Sequence, residues 1–360
     1  MKSNAAFAHI RQLCNLGLGS EAVMPALLRS VRQLVRADSA AFFWVDARGE
    51  MTNMYAERML PPELMRRYFE RYYASPEHAF SQRIRELAGR GEFVRESTTD
   101  AEFESTRYYD EILRPIDAYR VLYAIVHNNG QPLGQISLYR GRRSARFASV
   151  DRQALESATR YFAHCLTSGG KRPKDKTDSF RDSDEEALVV ASTAGEIATA
   201  SYRAYALLAH ASGEPINRET MSGSVDRASR DLLKKLAGRM KVADGLPDAP
   251  QTITVDNTWG RYRLRAYSLS QFEMGVLIQR QEHLLVRIAD AMLELPLSAQ
   301  QREVALLLAQ GLTNNQVATA MGVSINTASY HVKQLFAKLD AHDRAEAIER
   351  ILDGHSSRSG

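Results

Sequence analysis

Cysteine is the first scarcity. The chain of 360 residues has two, Cys14 and Cys165, far apart in sequence and each in a stretch of helical pattern. That argues against a disulfide scaffold and against a cysteine-based zinc site. Long apolar runs are missing too. Leu122–Val126 and Ala187–Ala191 are strand-length, well short of the ~20 residues a membrane-spanning helix needs. At the N-terminus, His9 and Arg11 interrupt Ala5–Ile10 before a signal-peptide core can form. The expectation is a cytoplasmic protein with no membrane partner. Charge of one sign is also in short supply. Lys and Arg number 47 against 43 Asp and Glu, a net charge of +4, which permits nucleic-acid binding without demanding it. Catalytic equipment is absent as well: no glycine-rich phosphate loop, no Cys/His metal spacing, no nucleophile motif. No enzyme, metal or cofactor is expected.

What is present is the composition of a folded chain, 44% hydrophobic and 25% charged. Its length calls for two or three domains. Residues 168–186, SGGKRPKDKTDSFRDSDEE, are nearly free of aliphatic side chains and bury too little to offset chain entropy, so they read as a flexible linker. A second boundary lies at Pro296, where one helical pattern stops and a new cap begins. The expected division is 1–167, the linker, 187–281, a connecting helix 282–296, a terminal module 297–353, and a disordered tail 354–360. No internal repeat is visible.

In the first domain, Glu21–Ala37, Pro62–Tyr73 and Val150–Leu166 carry helical periodicity, and Ala40–Val45 and Met51–Tyr55 alternate as strands. Val121–His127 and Gly134–Tyr139 flank Asn128-Asn129-Gly130, whose residues accept the positive φ of a tight hairpin. Mixed elements around an antiparallel hairpin indicate an α+β domain. The second domain opens with strands Ala187–Ala191 and Glu196–Ala200. Helices Tyr202–Ala211 and Val225–Met240 follow, then strands Gln251–Val255, Tyr262–Leu269 and Met274–Gln279. In the connecting helix, Leu285, Ile288, Met292 and Leu295 recur at heptad-like spacing. That seam serves either a dimer or packing on the domain's own sheet.

The terminal module is not basic: five basic and five acidic residues lie between Leu297 and Leu352. Its signal is in the caps. Ser298 with Gln301, Thr313 with Gln316, and Asp343 with Glu346 have capping-box spacing, and Ser324 caps another helix. Gly311 and Gly322 stand where helices end in a left-handed residue. Ile325, Ala328, Val332, Leu335, Phe336 and Leu339 share one apolar face, and Asn326, Ser329, Tyr330 and Lys333 share the opposite one. A short glycine-containing turn, Met321–Ser324, joins this helix to the one before it, as in a helix-turn-helix.

This module resembles the LuxR-type helix-turn-helix family. Gly311, Asn314, Val317-Ala318, Gly322-Val323-Ser324, Thr327, His331-Val332, Lys338-Leu339 and Arg344 fall at the family's spacing. Gln301 stands where the family has Glu, Ala305 where it has Leu, and Ser329 where a basic residue is common. The resemblance implies an all-α four-helix domain with its helix-turn-helix core at 314–333. It also implies base contacts from Ser329, Tyr330 and Lys333, flanked by Asn326, and backbone contacts from Asn314, Thr327 and Lys338. It implies partners as well: double-stranded promoter DNA, usually palindromic, read by a homodimer, with RNA polymerase a partner of an activator. The element order of residues 187–281 is similar to a PAS domain, and that of 1–167 more loosely to a GAF domain. The whole is then a multidomain α+β regulator controlled by a small-molecule or other signal of unknown identity.

Residues 62–76, PELMRRYFERYYASP, resemble the ligand-binding helix and loop of acyl-homoserine-lactone receptors. Tyr68 and Tyr72 answer that family's tyrosines, Leu64 or Met65 stands near its Trp, and Ser75 replaces the Asp that accepts the ligand's amide hydrogen. The resemblance makes a lactone quorum receptor one alternative. A redox or haem sensor through Cys14, Cys165 or His210 is another. Trp44, Tyr55, Tyr68 and Tyr72 are candidates to line a pocket, and core packing explains them equally well. The arginine cluster from Arg140 to Arg146 reads as a solvated loop. A phosphorylated receiver domain would need an alternating βα frame, which the N-terminal half lacks.

Overall fold

The structure is a computed structural model, and it describes residues 3–75, 80–91, 94–98, 104–168, 180–242 and 250–356. Two antiparallel sheets and a C-terminal group of helices make up the chain. The first unit opens with helices α1 (Ser3–Cys14) and α2 (Ser20–Val35). Strands β1 (Ser39–Val45) and β2 (Met51–Ala56) follow, then helices α3 (Pro62–Arg67) and α4 (Phe80–Arg90). Strands β3 (Val94–Thr98), β4 (Arg120–Asn128) and β5 (Gln131–Arg140) and helix α5 (Ser149–Thr167) complete it. The helical pattern expected over Pro62–Tyr73 widens into a π-turn at Tyr68–Tyr72, and a second π-turn spans Tyr109–Leu113.

The first sheet runs β2-β1-β5-β4-β3. Both of its faces are covered, so β1 reads as a continuous apolar run rather than an alternation. Ala40, Phe42 and Trp44 join the core that includes α1, α2 and α5, while Ala41 and Val45 join a second core with α3, α4 and the π-turns. The hairpin between β4 and β5 turns on Asn129 (φ 49°) and Gly130 (φ 81°), the positive-φ pair a two-residue hairpin requires. Gly134 lets β5 pass close to β1: a Cβ there would stand 2.3 Å from Phe42 Cζ and 2.8 Å from the Phe43 carbonyl.

The second unit comprises β6 (Phe180–Ser192), β7 (Ile197–Ala200), α6 (Tyr202–Ser212), α7 (Ser224–Val242), β8 (Gln251–Asn257), β9 (Gly260–Ser268) and β10 (Glu273–His283). Its sheet order, β7-β6-β10-β9-β8, repeats that of the first sheet strand for strand. The sequence shows no such repeat, because the two units share topology without sharing side chains. One boundary needs correcting. Residues 180–186, placed in the linker by their polarity, are the first half of β6 and pair with Gln279–His283 of β10. Asp182, Asp184 and Glu185 are held by ion pairs with Arg263, Arg287 and Arg280, and Ser183 is buried, donating to the Arg280 carbonyl. The rest of that linker, 169–179, lies outside the described residues.

The expected connecting helix is shorter than 282–296, because β10 runs on to His283 and α8 spans Leu284–Ala291. Of the two roles left open for the apolar seam, packing within the chain is the one observed. Leu285, Ile288 and Met292 are buried within this chain, in one apolar cluster with residues of α1, α2 and the terminal module. Arg140 is not a solvated loop residue. It is buried, stacks on Phe147 at 4.1 Å, and donates to the carbonyls of Arg146 (2.8 Å) and Ala145 (3.1 Å). The last helix continues to Ser356, into the expected tail, and residues 357–360 lie outside the described residues. Among the described residues, no helix is long and apolar enough to cross a membrane.

Candidate nucleic-acid interface and sensory core

Four helices form the terminal module: α9 (Ala299–Ala309), α10 (Asn314–Met321), α11 (Ile325–Leu339) and α12 (Arg344–Ser356). Their caps are made as local chemistry dictates. The Gln301 amide donates to Ser298 Oγ at 3.2 Å, and Gln301 Oε1 accepts from the Ser298 amide at 2.8 Å, so glutamine closes the box that the family closes with glutamate. Thr313 and Gln316 make the same exchange. Ser324 Oγ accepts from the Thr327 amide at 3.1 Å. At α12 the box is displaced by one residue: Asp343 caps the Glu346 amide, but Glu346 reaches back to the amide of His342 at 2.9 Å. Gly322, at φ 65°, ends α10 in the left-handed conformation. Arg344 donates to the Leu312 carbonyl and ties α12 to the loop ahead of α10.

Val317 and Ala318 of α10 and Ala328, Val332 and Leu335 of α11 are buried. The opposite side of α11 is open. Asn326, Thr327, Tyr330 and Lys333 are exposed, Tyr330 at 58%, and Ser329 between them is half-buried. Helical spacing puts Asn326, Ser329, Tyr330 and Lys333 on one stripe. Asn314 is exposed at the start of α10 and Lys338 near the end of α11. The Thr327 hydroxyl is shared with Ser324 Oγ at 2.8 Å. Ile325 departs from the expected apolar face: it is 49% exposed and flanks the polar stripe. His331 is half-buried with its ring 5.7 Å from that of Tyr330. Among the described residues, neither Lys333 nor Lys338 has an ion-pair partner, so both ammonium groups stand free for an anion.

The four aromatic pocket candidates do not come together. Trp44 and Tyr55 meet the second unit: Trp259 lies 5.5 Å from Trp44 and 5.9 Å from Tyr55, and His210 stacks on Tyr55 at 5.2 Å. Burial drops the His210 imidazole to about 4, so it packs there as a neutral ring. Tyr72 donates its hydroxyl to Glu111 at 3.0 Å. Tyr68 lines a cavity of about 170 Å³ on the outer face of the first sheet, and Tyr55 lines a separate cleft of about 500 Å³ beside His210. Sequence reasoning missed that cavity's Arg83, on α4.

It also missed the approach of the two cysteines. Cys14 of α1 and Cys165 of α5 are buried side by side, and the hydrogen bond between their thiols, with burial, pushes Cys14 up. A third omission is a buried ionic network built from Arg29, Glu185, Arg280, Glu282 and Asp290. Arg280 and Glu282 occupy inward positions of β10, so strict alternation through MGVLIQRQE was the available signal for them.

The curated relatives match at most about a fifth of this chain. A family described as "Bacterial regulatory proteins, luxR family" matches residues 295–351. The probable transcriptional regulatory protein SgaR of Hyphomicrobium methylovorum is 46% identical over 52 residues, 14% of this chain and 25% of that protein. The response regulator protein VraR of Staphylococcus aureus (strain NCTC 8325 / PS 47) is 33% identical over 79 residues, 22% of this chain and 36% of that protein. The chain thus spans about a quarter to a third of the length of these relatives. Among solved structures, the GAF domain of cyanobacteriochrome TePixJ aligns with 43% of this chain and 92% of its own at 15% identity and a TM-score of 0.32. The sensor region of a sensor histidine kinase aligns with 45% of this chain and 63% of its own at 16% identity and a TM-score of 0.18. Likenesses that low assign no fold to the N-terminal units. The capped helices, the glycine turn and the family match agree on one statement: residues 295–351 are a LuxR-family helix-turn-helix domain.

Proposed function

We propose that the chain is a cytoplasmic, sequence-specific transcriptional regulator that reads promoter DNA as a homodimer and answers to a small molecule. The observation that carries the reading is the open polar stripe of α11 on a LuxR-family domain. A helix with that stripe, braced by a second helix across a short turn, is what the major groove accepts. Asn326, Ser329, Tyr330 and Lys333 face base edges in this reading, and Asn314, Thr327 and Lys338 hold the backbone. Two-fold reading favours palindromic sites, and activation would add RNA polymerase as a partner. The N-terminal units are read as GAF-like and PAS-like sensors, on their shared strand order and the helices inserted after the first hairpin of each sheet. The signal site is the cavity of the first unit. A lactone ligand is not favoured, since Ser75, at the position of the lactone receptors' amide acceptor, is not among the residues lining it.

The test is selection of random duplexes by the full chain, followed by sedimentation of the complex on the winning site. Enrichment of a palindrome bound by two copies is expected. Recovery of no preferred sequence would overturn the reading.

A further inference from the structure

With the first unit read as a small-molecule sensor, on which the ligand assignment rests, the chemistry of its cavity narrows that ligand. The cavity lies between the outer face of the β1–β5–β4 sheet and a shell made by α3, α4 and the two π-turns. Departures from α-helical winding of this kind are frequent at functional sites. At about 170 Å³ it is close to the ~150 Å³ that admits one benzene ring. Phe43, Phe80, Tyr68, Tyr108, Tyr123 and Tyr139 give it aromatic walls.

Its polar groups are few and one-sided. The described lining includes two cations, Arg58 and Arg83, and no carboxylate. Arg58 is exposed at the rim and donates to the Ile116 carbonyl at 3.1 Å. Arg83 sits deeper, its guanidinium carbon 5.2 Å from the centre of the Tyr123 ring and 5.7 Å from that of Phe80. Its Nε is buried and has no hydrogen-bond partner, and no carboxylate among the described residues lies within ion-pair distance of it. The tyrosines cannot serve as its counter-ion. Burial pushes Tyr139 up to about 12 and holds Tyr68 and Tyr108 well above their ordinary value, so all three stay neutral. On the floor, Gln135 is 4% exposed; its amide donates to Ser137 Oγ at 2.8 Å, and its Oε1 is buried without a donor.

A buried N–H and a buried carbonyl left without partners each cost free energy that a ligand can recover. We infer that this cavity takes a small aromatic carboxylate: one ring between the tyrosine walls, its carboxylate on Arg83, and a ring hydroxyl or N–H donating to Gln135 Oε1. Guanidinium and carboxylate match as a planar two-point pair, and the pair strengthens where water is excluded. A neutral ligand of the same shape would leave the Arg83 Nε–H unanswered.

The experiment is calorimetric titration of the full chain with 4-hydroxybenzoate, benzoate and 4-hydroxybenzamide. Saturable one-to-one binding of 4-hydroxybenzoate is expected. Benzoate, which cannot donate to Gln135, should bind severalfold more weakly, and the uncharged amide at least tenfold more weakly. Arg83→Met should abolish the preference for acid over amide, and Arg83→Lys should keep part of it. The comparison of acid with amide on the unaltered chain decides the matter even if Arg83→Met does not fold. Equal affinity for acid and amide would overturn the carboxylate while leaving a sensor of neutral aromatics standing. Binding of neither would overturn the aromatic ligand altogether. The sensor reading then has its own test, native mass spectrometry of the chain purified from its host, in which a retained small molecule of any class adds mass.

Discussion

Arg29 of α2 and Asp290 of α8 meet through a 2.7 Å hydrogen-bonded ion pair, 261 residues apart in sequence. The same guanidinium stands 3.4 Å from Glu185 of β6 and 3.5 Å from Glu282 of β10. Arg280 meets Glu185 at 3.2 Å, and His9 of α1 donates to Asp290 at 2.9 Å. First unit, second unit and the helix leading to the DNA-binding module thus share one network in a cleft of about 500 Å³. A displacement of α2 relative to the second sheet has to break a charge pair on α8 or carry α8 with it. That gives a physical route from the two N-terminal units to α9.

Asp290→Asn should expose the worth of this junction. Burial alone would raise the Asp290 carboxyl, but the charge of Arg29 and the hydrogen bond from His9 outweigh it and hold the group down to about 2, against an ordinary 3.8. The groups facing it are Arg29, His9 and Glu282, with Arg280 behind. A depressed carboxylate adds stability that is fully present above its unfolded value and is lost as the pH falls toward its folded one. The variant should therefore be less stable at pH 7 by on the order of 2 kcal/mol. The gap between the two proteins should begin to narrow below about pH 5 and close only as the pH falls through about 2. Urea unfolding of both across that window is the measurement, and a gap that widens on acidification would contradict the sign.

The parts of this molecule that sequence reasoning reached are those fixed by near neighbours. Ser298, Thr313 and Ser324 cap helices because the donors they satisfy are two or three residues away, so the terminal module could be read almost complete. Asn129 and Gly130 mark their hairpin for the same reason. The ionic network was out of reach because Arg29 and Asp290 acquire a shared meaning only once α2 and α8 are packed together. Periodicity said that Leu285, Ile288 and Met292 face something apolar; it carries no information on what that is. Trp44 and Tyr68 look alike as aromatic residues in half-buried elements. They fall on opposite faces of one sheet, so one packs at the junction with Trp259 and the other borders the cavity. Helix α4 was legible as well, since Phe80, Ile84, Leu87 and Ala88 recur at helical spacing, whereas β3, with Val94 its single aliphatic residue, carries too short a pattern to read.

Ile288→Asp separates the two meanings of the α8 seam. Ile288 is fully buried inside the chain in an apolar cluster, so a carboxylate there would be desolvated with no cation built to meet it. The cost should be several kcal/mol, on the order of 3 or more. Loss of cooperative melting in the full chain is expected at every protein concentration tested. A variant with an unchanged melting temperature that has merely lost self-association would restore the seam as a dimer contact.

Gly134→Ala probes the packing beneath the cavity floor. The added methyl would collide with the Phe42 ring, which is buried against Phe162 at 6.0 Å, and with the backbone carbonyl of Phe43, which has no room to yield. Overpacking of this kind costs about 1–3 kcal/mol. Because the strain falls in the first sheet and the terminal module caps its own helices, DNA binding at low temperature should survive the substitution while the melting temperature drops. Thermal denaturation beside duplex binding checks both halves. An unchanged melting temperature would mean that β5 slides past β1 at little cost.

Lys333 and Lys338 should fail differently when removed. Lys333 belongs to the exposed stripe with Asn326 and Tyr330, where a side chain entering the major groove meets base edges. It can donate to guanine O6 and N7, a contact that discriminates by ~1–3 kcal/mol when well placed. Lys338 lies at the far end of α11, where the groove has curved away and phosphate is the only partner in reach. Lys333→Ala should therefore relax base preference at one position in each half-site. Lys338→Ala should weaken all sequences alike and reduce the slope of log affinity against log salt by about one unit. The module's basic and acidic residues balance, five against five between Leu297 and Leu352. Few counterions are then released on binding, and the slope of the unaltered chain should itself be shallow. Selection on random duplexes at two salt concentrations, repeated for each variant, measures all three quantities. If Lys333→Ala retains both affinity and preference, α11 is not the reading helix, and the polar stripe has some other partner.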